Sequence, residues 1–225
     1  MLSIIIPVYN EARALPIALD ALQRQRGEFE VVVVDGGSTD GTAAVALAFP
    51  HVRLIEAAKG RASQMNAGAR IARGEWLLFL HADTRLPDDA LARVAALAGD
   101  PRCEAGAFRH RFSQRHWLLR LISLGHNLRC RVTRVFFGDQ AIFARAATFE
   151  RVGGFPEVPM LEDVMFCDRL RRVTRPVMLD AFVHTDARRF LEFGIVRTTW
   201  RAFRILVRHR LGLRVDGCGF SEEVR

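Results

Sequence analysis

Lysine is all but absent: Lys59 is the only one among 33 basic side chains. The positive charge is therefore carried by arginine, whose planar fork pairs bidentately with phosphate or carboxylate. Cysteine is scarce too. Cys103, Cys130, Cys167 and Cys218 lie far apart and form no C-x-x-C pair, which argues against a zinc knuckle or a disulfide framework and for a reducing interior. No apolar run is long enough to span a bilayer. The apolar run at residues 2–8 lacks a basic leader and is interrupted by Pro7, so it reads as a strand and not a signal peptide. Neither G-x-G-x-x-G nor G-x-x-x-x-G-K-[ST] occurs, which removes the dinucleotide fingerprint and the phosphate loop. Repeats, low-complexity tracts and any recognisable nucleic-acid module are missing as well, so no nucleic-acid partner is expected.

What remains is a chain of 225 residues, half of them hydrophobic, enough for one domain with a real core. The formal charge is +8, and it is unevenly spread: residues 1–100 hold 10 basic and 12 acidic side chains, residues 101–225 hold 23 and 13. We expect a single domain over 1–215, divided into halves at residue 100, and a loose tail at 216–225.

Short β-rich runs at 3–8, 30–34, 52–55 and 76–80 alternate with helical patterns, Leu15, Leu19 and Leu22 in one spacer and Met65, Ala69 and Ala72 in another. This rhythm predicts an α/β fold with a mostly parallel central sheet flanked by helices. Ligands of such sheets bind beyond the carboxyl ends of the strands. Polar residues follow three of the runs: Tyr9, Asn10 and Glu11; Asp35 with Gly36, Gly37 and Ser38; and His81, Ala82 and Asp83. Beyond residue 100 the pattern predicts a strand at 106–112, a helix at 117–128, a strand at 136–143 broken by Gly138 and Asp139, a helix at 161–173, an extended pair at 177–179 and 182–184, and a helix at 195–211.

Each polar cluster has two readings. Asp35 can accept hydrogen bonds from a base or ribose, or it can serve the turn and the helix that follows, as Ser38, Thr39 and Asp40 can. Asp83 can present a carboxylate to a hard divalent cation between phosphate oxygens, or it or Thr84 can cap a helix starting near Pro87. Glu162 and Asp163 open a helix after the Gly- and Pro-rich loop 153–159. They can supply a general base or simply complement the helix dipole.

Taken together the runs IIIPVYNEA (4–12), VVVVDGGSTDGT (31–42), GRASQMNAGA (60–69), WLLFLHADT (76–84), GDQAIFARAATFERVGGF (138–155) and MLEDVMFCDRLRR (160–172) resemble glycosyltransferase family 2 with the GT-A fold, in order and spacing. The resemblance covers residues 2–190 and is nearest to the bacterial subgroup associated with radical-SAM and selenium-related domains. It implies a nucleotide-binding N-terminal half and an acceptor-side C-terminal half. Pro7, Tyr9, Asn10 and Glu11 match the first nucleotide motif, and Asp35 matches the carboxylate that meets the base, commonly uracil. Gly60, Arg61 and Asn66 match the segment beside ribose and diphosphate. His81 and Ala82 precede Asp83, which matches the metal-binding last Asp of D-x-D, with Mn²⁺ or Mg²⁺ as cofactor. Asp163, preceded by Glu162, matches the general base of inverting members; His184 stands where a late histidine completes some metal shells; and Gly138, Asp139 and Gln140 fall on the acceptor side.

Two departures stand out, Gly36 for the second Asp of V-D-D-G-S and His81 for the first Asp of D-x-D. They leave open a non-catalytic protein that holds a nucleotide sugar or an anionic lipid. The reading the resemblance implies is sugar transfer from a UDP-linked donor to an unidentified acceptor, and the scattered cysteines point to the cytoplasm as its place. The segments 109–134 and 188–214 hold seven and eight arginines, with Glu192 the only acid between them. In the second, Val196, Trp200, Phe203 and Val207 share one helical face and Arg197, Arg201, Arg204 and Arg208 another. Either the apolar faces pack on the core, or the segments rest peripherally on an anionic membrane where a lipid-linked acceptor is met.

Overall fold

The computed structural model describes residues 1–213; the expected tail 216–225 and Cys218 lie outside the described residues. β1 (Leu2–Val8), β2 (Phe29–Asp35), β3 (Val52–Glu56) and β4 (Trp76–Phe79) alternate with α1 (Leu15–Gln23), α2 (Thr42–Leu47) and α3 (Arg61–Ile71). Runs such as IIIPV and VVVV are apolar on both faces, and both faces are covered. Ile4 and Ile6 pack with Leu15 and Leu19 of α1 on one side, while Ile5 packs with Met65 of α3 on the other. The second contact is close: a Cβ on Gly68 would stand 2.5 Å from Ile5 Cγ2, so α3 approaches the sheet only because that residue has no side chain.

The second half adds β5 (Thr84–Arg85), α4 (Ala90–Ala96), β6 (Ala105–Phe112), α5 (Trp117–Thr133), β7 (Phe143–Arg145), α6 (Ala146–Arg151), α7 (Glu162–Val173), β8 (Val177–Thr185), α8 (Arg188–Glu192) and α9 (Ile195–Arg210). One sheet runs through both halves in the order β3-β2-β1-β4-β7-β6-β8-β5. β1 to β4 are parallel, as expected, but the sheet as a whole is mixed: β7 runs antiparallel to β4 and β6, and β5 antiparallel to β8.

Other expectations need correction. The extended pair is one strand, β8, whose register against β6 skips from Leu179 to Phe182 between Phe108 and Arg109, a bulge that pattern reading mistook for a break. No helix starts at Pro87. Thr84 and Arg85 pair with β8 instead of capping, and α4 begins at Ala90. Residues 136–143 form a single 3-10 turn at Gly138–Gln140 before β7.

α5 and α9 each pack one side on the buried clusters, with Ile122, Ile195 and Leu206 against them, and leave a second apolar stripe exposed. α9 turns Thr198 and Ile205 inward, and Val196, Trp200, Phe203 and Val207 are exposed. α5 buries Leu119, Ser123, Asn127 and Cys130 and exposes Trp117, Leu121, Leu124, Leu128 and Val132. Among the described residues no helix is long and apolar enough to cross a membrane. Cys103, Cys130 and Cys167 are buried free thiols.

Candidate active site

The loops after β1 and β2 are stitched together. Asn10, in the left-handed region at φ 54°, accepts from the Thr39 amide at 2.8 Å, and its own amide donates to Ser38 Oγ at 2.9 Å. The Glu11 amide donates to Thr42 Oγ1 at 2.8 Å. Asp35 is buried, and its Oδ1 accepts from the amide and hydroxyl of Ser38 at 3.0 and 2.5 Å, so one oxygen serves the turn. Beneath them Gln64 donates from Nε2 to the carbonyls of Val8 and Val34 at 2.7 and 2.8 Å, tying the two strand ends. A Cβ on Gly36 would lie 3.1 Å from the Gln64 amide. The departure at Gly36 therefore has a packing reason: any larger residue there would press on this brace.

Beyond these strand ends lies a cleft lined by Pro7, Tyr9, Glu11, Lys59, Gly60, Arg61, His81, Ala82, Asp83 and Arg189, among others. Lys59 Nζ sits 3.8 Å over the Tyr9 ring, and Arg189 approaches Glu11 at 3.6 Å. Arg61 reaches toward the buried Glu162 at 3.8 Å. Burial raises the Glu11 carboxyl above its ordinary range and Asp83 adds to the rise. Burial likewise raises Asp83, against the pull of Arg189 and Arg61. Two carboxylates thus crowd each other among three cations, a charge arrangement suited to a polyanion and a divalent ion.

Burial pushes His81 down to about 3, with Arg61 adding to the effect, so the imidazole is neutral at neutral pH. It lies against Gly138, where a Cβ would stand 2.5 Å from its Nε2. Leu161, left-handed at φ 62°, turns the chain into α7 so that Asp163 enters the first turn. Asp163 Oδ2 accepts from the Gly138 amide at 2.7 Å and Oδ1 from the Val164 amide at 2.7 Å. Burial, and next the charge of Glu162, push its carboxyl up to about 7.

Of the expected residues, Asn10, Asp35, Asn66, Gly138, Asp139, Gln140, Glu162, Asp163 and His184 do not line this cleft. The Asn66 amide is used in a reciprocal pair with Phe155, donating to its carbonyl and accepting from its amide at 2.9 Å each, which pins α3 to the 153–155 loop. His184 pairs with Arg85 across β8 and β5, while the alternation of the strand turns Thr185 to the opposite face, 3.1 Å from Thr84 Oγ1. Neither Asn66 nor His184 lines the cleft with Asp83. Gln140 is buried, donating to the Phe108 carbonyl at 3.0 Å. Lys59, Gln64 and Arg189 were not singled out as site residues. Arg189 carries no local signal, since only the return of β8 to β5 brings α8 to the cleft.

The family model described as "Glycosyl transferase family 2" matches residues 3–149. A "PGL/p-HBAD biosynthesis glycosyltransferase" of Mycobacterium tuberculosis is 35% identical over 235 aligned positions, covering 96% of this chain and 88% of its own. A mannosyltransferase from Pyrobaculum calidifontis, solved with GDP-Man and Mn²⁺, superposes with a TM-score of 0.70 at 25% identity. The match covers 91% of this chain and 59% of that longer one. Staphylococcus aureus TarS, solved with UDP-GlcNAc, matches in fold with a TM-score of 0.65 at 21% identity, covering 82% of this chain and 58% of the other.

Proposed function

This chain belongs to glycosyltransferase family 2, and from that premise we propose that it transfers a sugar, with inversion, from a UDP-linked donor to an acceptor met at an anionic membrane surface. It is a transferase. The observation that carries the finer reading is that Gly138 abuts the cleft residue His81 and donates to Asp163, linking a carboxyl that burial pushes up to about 7 with the cation-lined cleft. In this reading residues 1–100 hold the donor and 101–215 supply base and acceptor contacts. Within the family, the motif set is nearest to the radical-SAM and selenium-associated subgroup.

Asp163 accepts the proton of the acceptor hydroxyl as its oxygen attacks the anomeric carbon, and the bond from that carbon to the diphosphate breaks with UDP leaving. Lys59, Arg61 and Arg189 stabilise the charge that develops on the diphosphate. The residues also fit a divalent cation. Burial raises both Glu11 and Asp83, and the Asp83 charge raises Glu11 further, a conflict that a 2+ ion would relieve; their oxygens suit Mg²⁺ or Mn²⁺, and the neutral His81 nearby favours Mn²⁺. Such an ion would supply charge neutralisation to the departing diphosphate. Asp35 keeps one oxygen for the base, and Pro7, Tyr9, Asn10 and Gly60 shape the nucleotide side.

The membrane reading rests on α5 and α9, which neighbour each other. Each turns a stripe of large apolar side chains away from its own buried side, with exposed arginines alongside: Arg120 and Arg131 on α5, Arg197 and Arg204 on α9. Apolar stripes rimmed by arginine complement an anionic interface on the cytoplasmic face. Release of nucleotide diphosphate from a panel of nucleotide sugars, with Mn²⁺, Mg²⁺ or chelator, tests the donor and the metal. GDP release from GDP-mannose without UDP release from any UDP-sugar would overturn the UDP assignment.

A further inference from the structure

Behind the proposed base lies a second cluster that the reaction above does not use. His110 on β6 is fully buried, yet its Nε2 has no hydrogen-bond partner among the described residues; Asp139 Oδ1 is buried and equally unpartnered. Buried polar atoms are satisfied almost without exception, so two on facing side chains call for an ion or a water beside them.

Geometry separates the two. His110 Nε2 and Asp139 Oδ2, the other oxygen of that carboxylate, are 3.6 Å apart, too far for a hydrogen bond. Bonds of about 2.05 and 2.1 Å to one transition-metal ion would span that gap at an angle of roughly 120°, within the range of four- and five-coordinate sites. A water about 2.8 Å from each atom would have to bridge them at roughly 80°, well inside its tetrahedral bonding directions. His126 on α5 supplies a third ligand. One ligand atom from each of His110, His126 and Asp139 lies within 4.8 Å of the others.

The surroundings orient the rings as metal-site partners do. Gln140 Nε2 donates to the Phe108 carbonyl, so its Oε1 is the acceptor, and His126 Nε2 sits 3.0 Å from that oxygen. The proton is therefore on Nε2 of His126, and its Nδ1 keeps a lone pair. His110 Nδ1 faces Ser123 Oγ at 3.4 Å, an acceptor for a proton on that nitrogen, and in that tautomer the Nε2 lone pair is free to bind an ion. Bound through unprotonated imidazole nitrogens, such a trio carries a single negative charge, which suits a 2+ ion of the imidazole-preferring class.

We propose that His110, His126 and Asp139 form a binding site for a borderline transition-metal ion such as Zn²⁺, separate from the cation held at Asp83. The site joins β6, α5 and the 138–140 turn. Because the neighbouring Gly138 amide holds Asp163, the ion positions the proposed base and takes no part in bond making. That positioning role rests on the reading of Asp163 as base, whereas the site itself rests on the three side chains alone.

Co²⁺ is the probe, added to the tag-free full chain after chelation. The expected result is one equivalent bound with visible d–d bands of four- or five-coordinate intensity, displaced by Zn²⁺. His110→Ala and Asp139→Asn should weaken Co²⁺ binding at least tenfold, whereas Asp83→Ala should keep the bands while losing any metal effect on UDP binding, so the two sites fail separately. His126→Gln serves as a milder variant should the first two unfold. Absence of the bands in the unaltered chain, or bands that survive His110→Ala and vanish in Asp83→Ala, would overturn the proposal.

Discussion

The backbone amide of Gly138 donates to Asp163 Oδ2 at 2.7 Å, and the His81 ring fills the space that a side chain on the same glycine would need. A single backbone position thus holds the proposed base and abuts the residue two before Asp83. Gly138→Ala should disturb both, since its Cβ would stand 2.5 Å from His81 Nε2. We expect a stability loss of about 1–3 kcal/mol, typical of overpacking. The Gly138 hydrogen bond lowers the Asp163 pKa, so weakening it should move the acid limb of the pH–rate profile above 7. Denaturant unfolding and a pH profile of transfer check the two effects; an unmoved limb would mean that this amide does not tune the base.

Asp163 itself makes a paired prediction. As general base it must be ionised, so the rate should climb with pH and level off above about 7. Asp163→Asn should lower turnover by about two to four orders of magnitude with little change in donor binding. Stability should move the other way. The folded carboxyl is raised above its ordinary 3.8 to about 7, so the fold is fully free of the penalty below 3.8 and accumulates it as pH rises toward 7. The variant should therefore match the wild type in melting temperature near pH 4 and equal or exceed it at pH 8. A large loss at pH 8 would make Asp163 a structural residue.

Asp83→Ala should abolish the metal-dependent part of UDP binding in calorimetry with and without Mn²⁺, leaving the fold intact. The Asp83 charge also holds the Glu11 pKa up, so the variant should let Glu11 titrate lower, which carboxyl-resolved NMR reads directly. An unchanged Mn²⁺ effect would remove Asp83 from the metal site.

The N-terminal architecture was legible because its strands are buried on both faces and are bounded by polar strand-end residues, so pattern and topology agree. The reversal at β7 was not: three residues of strand, Phe143–Arg145, follow a 3-10 turn and carry no period of their own. In the site, Glu11 and Asp83 could be named because they fall in the polar clusters after β1 and β4, and Pro7 and Arg61 because they fall in the runs that resemble the family. Asn66 and Gln64 both lie on α3, two residues apart, and sequence cannot tell which of them faces the strand ends and which meets the 153–155 loop. Arg189 enters from a five-residue helix whose position depends on the β8–β5 pairing, a long-range contact with no local trace. For α5 and α9 the period was readable, but which side of each helix is buried depends on tertiary contacts such as those of Leu119 and Ile205.

The exposed stripes give the last prediction. Trp117 and Trp200 are 66% and 59% exposed, amphipathic rings placed where an interface would take them up. Their removal should leave the core untouched, so Trp117→Ser with Trp200→Ser is expected to keep the melting temperature. Sedimentation with vesicles containing anionic lipid should carry down the unaltered chain at low salt, while neutral vesicles should not, because each arginine near the surface contributes on the order of 1 kcal/mol. High salt should weaken the binding through screening but not abolish it, since the apolar stripes are insensitive to ionic strength. The tryptophan double variant should lose the salt-resistant part, and Arg197→Gln with Arg204→Gln the salt-sensitive part. The two contributions are thus separable within one assay. Failure to bind either vesicle at low salt would remove the membrane, and concentration-dependent sedimentation without lipid would assign the stripes to a second copy of the chain.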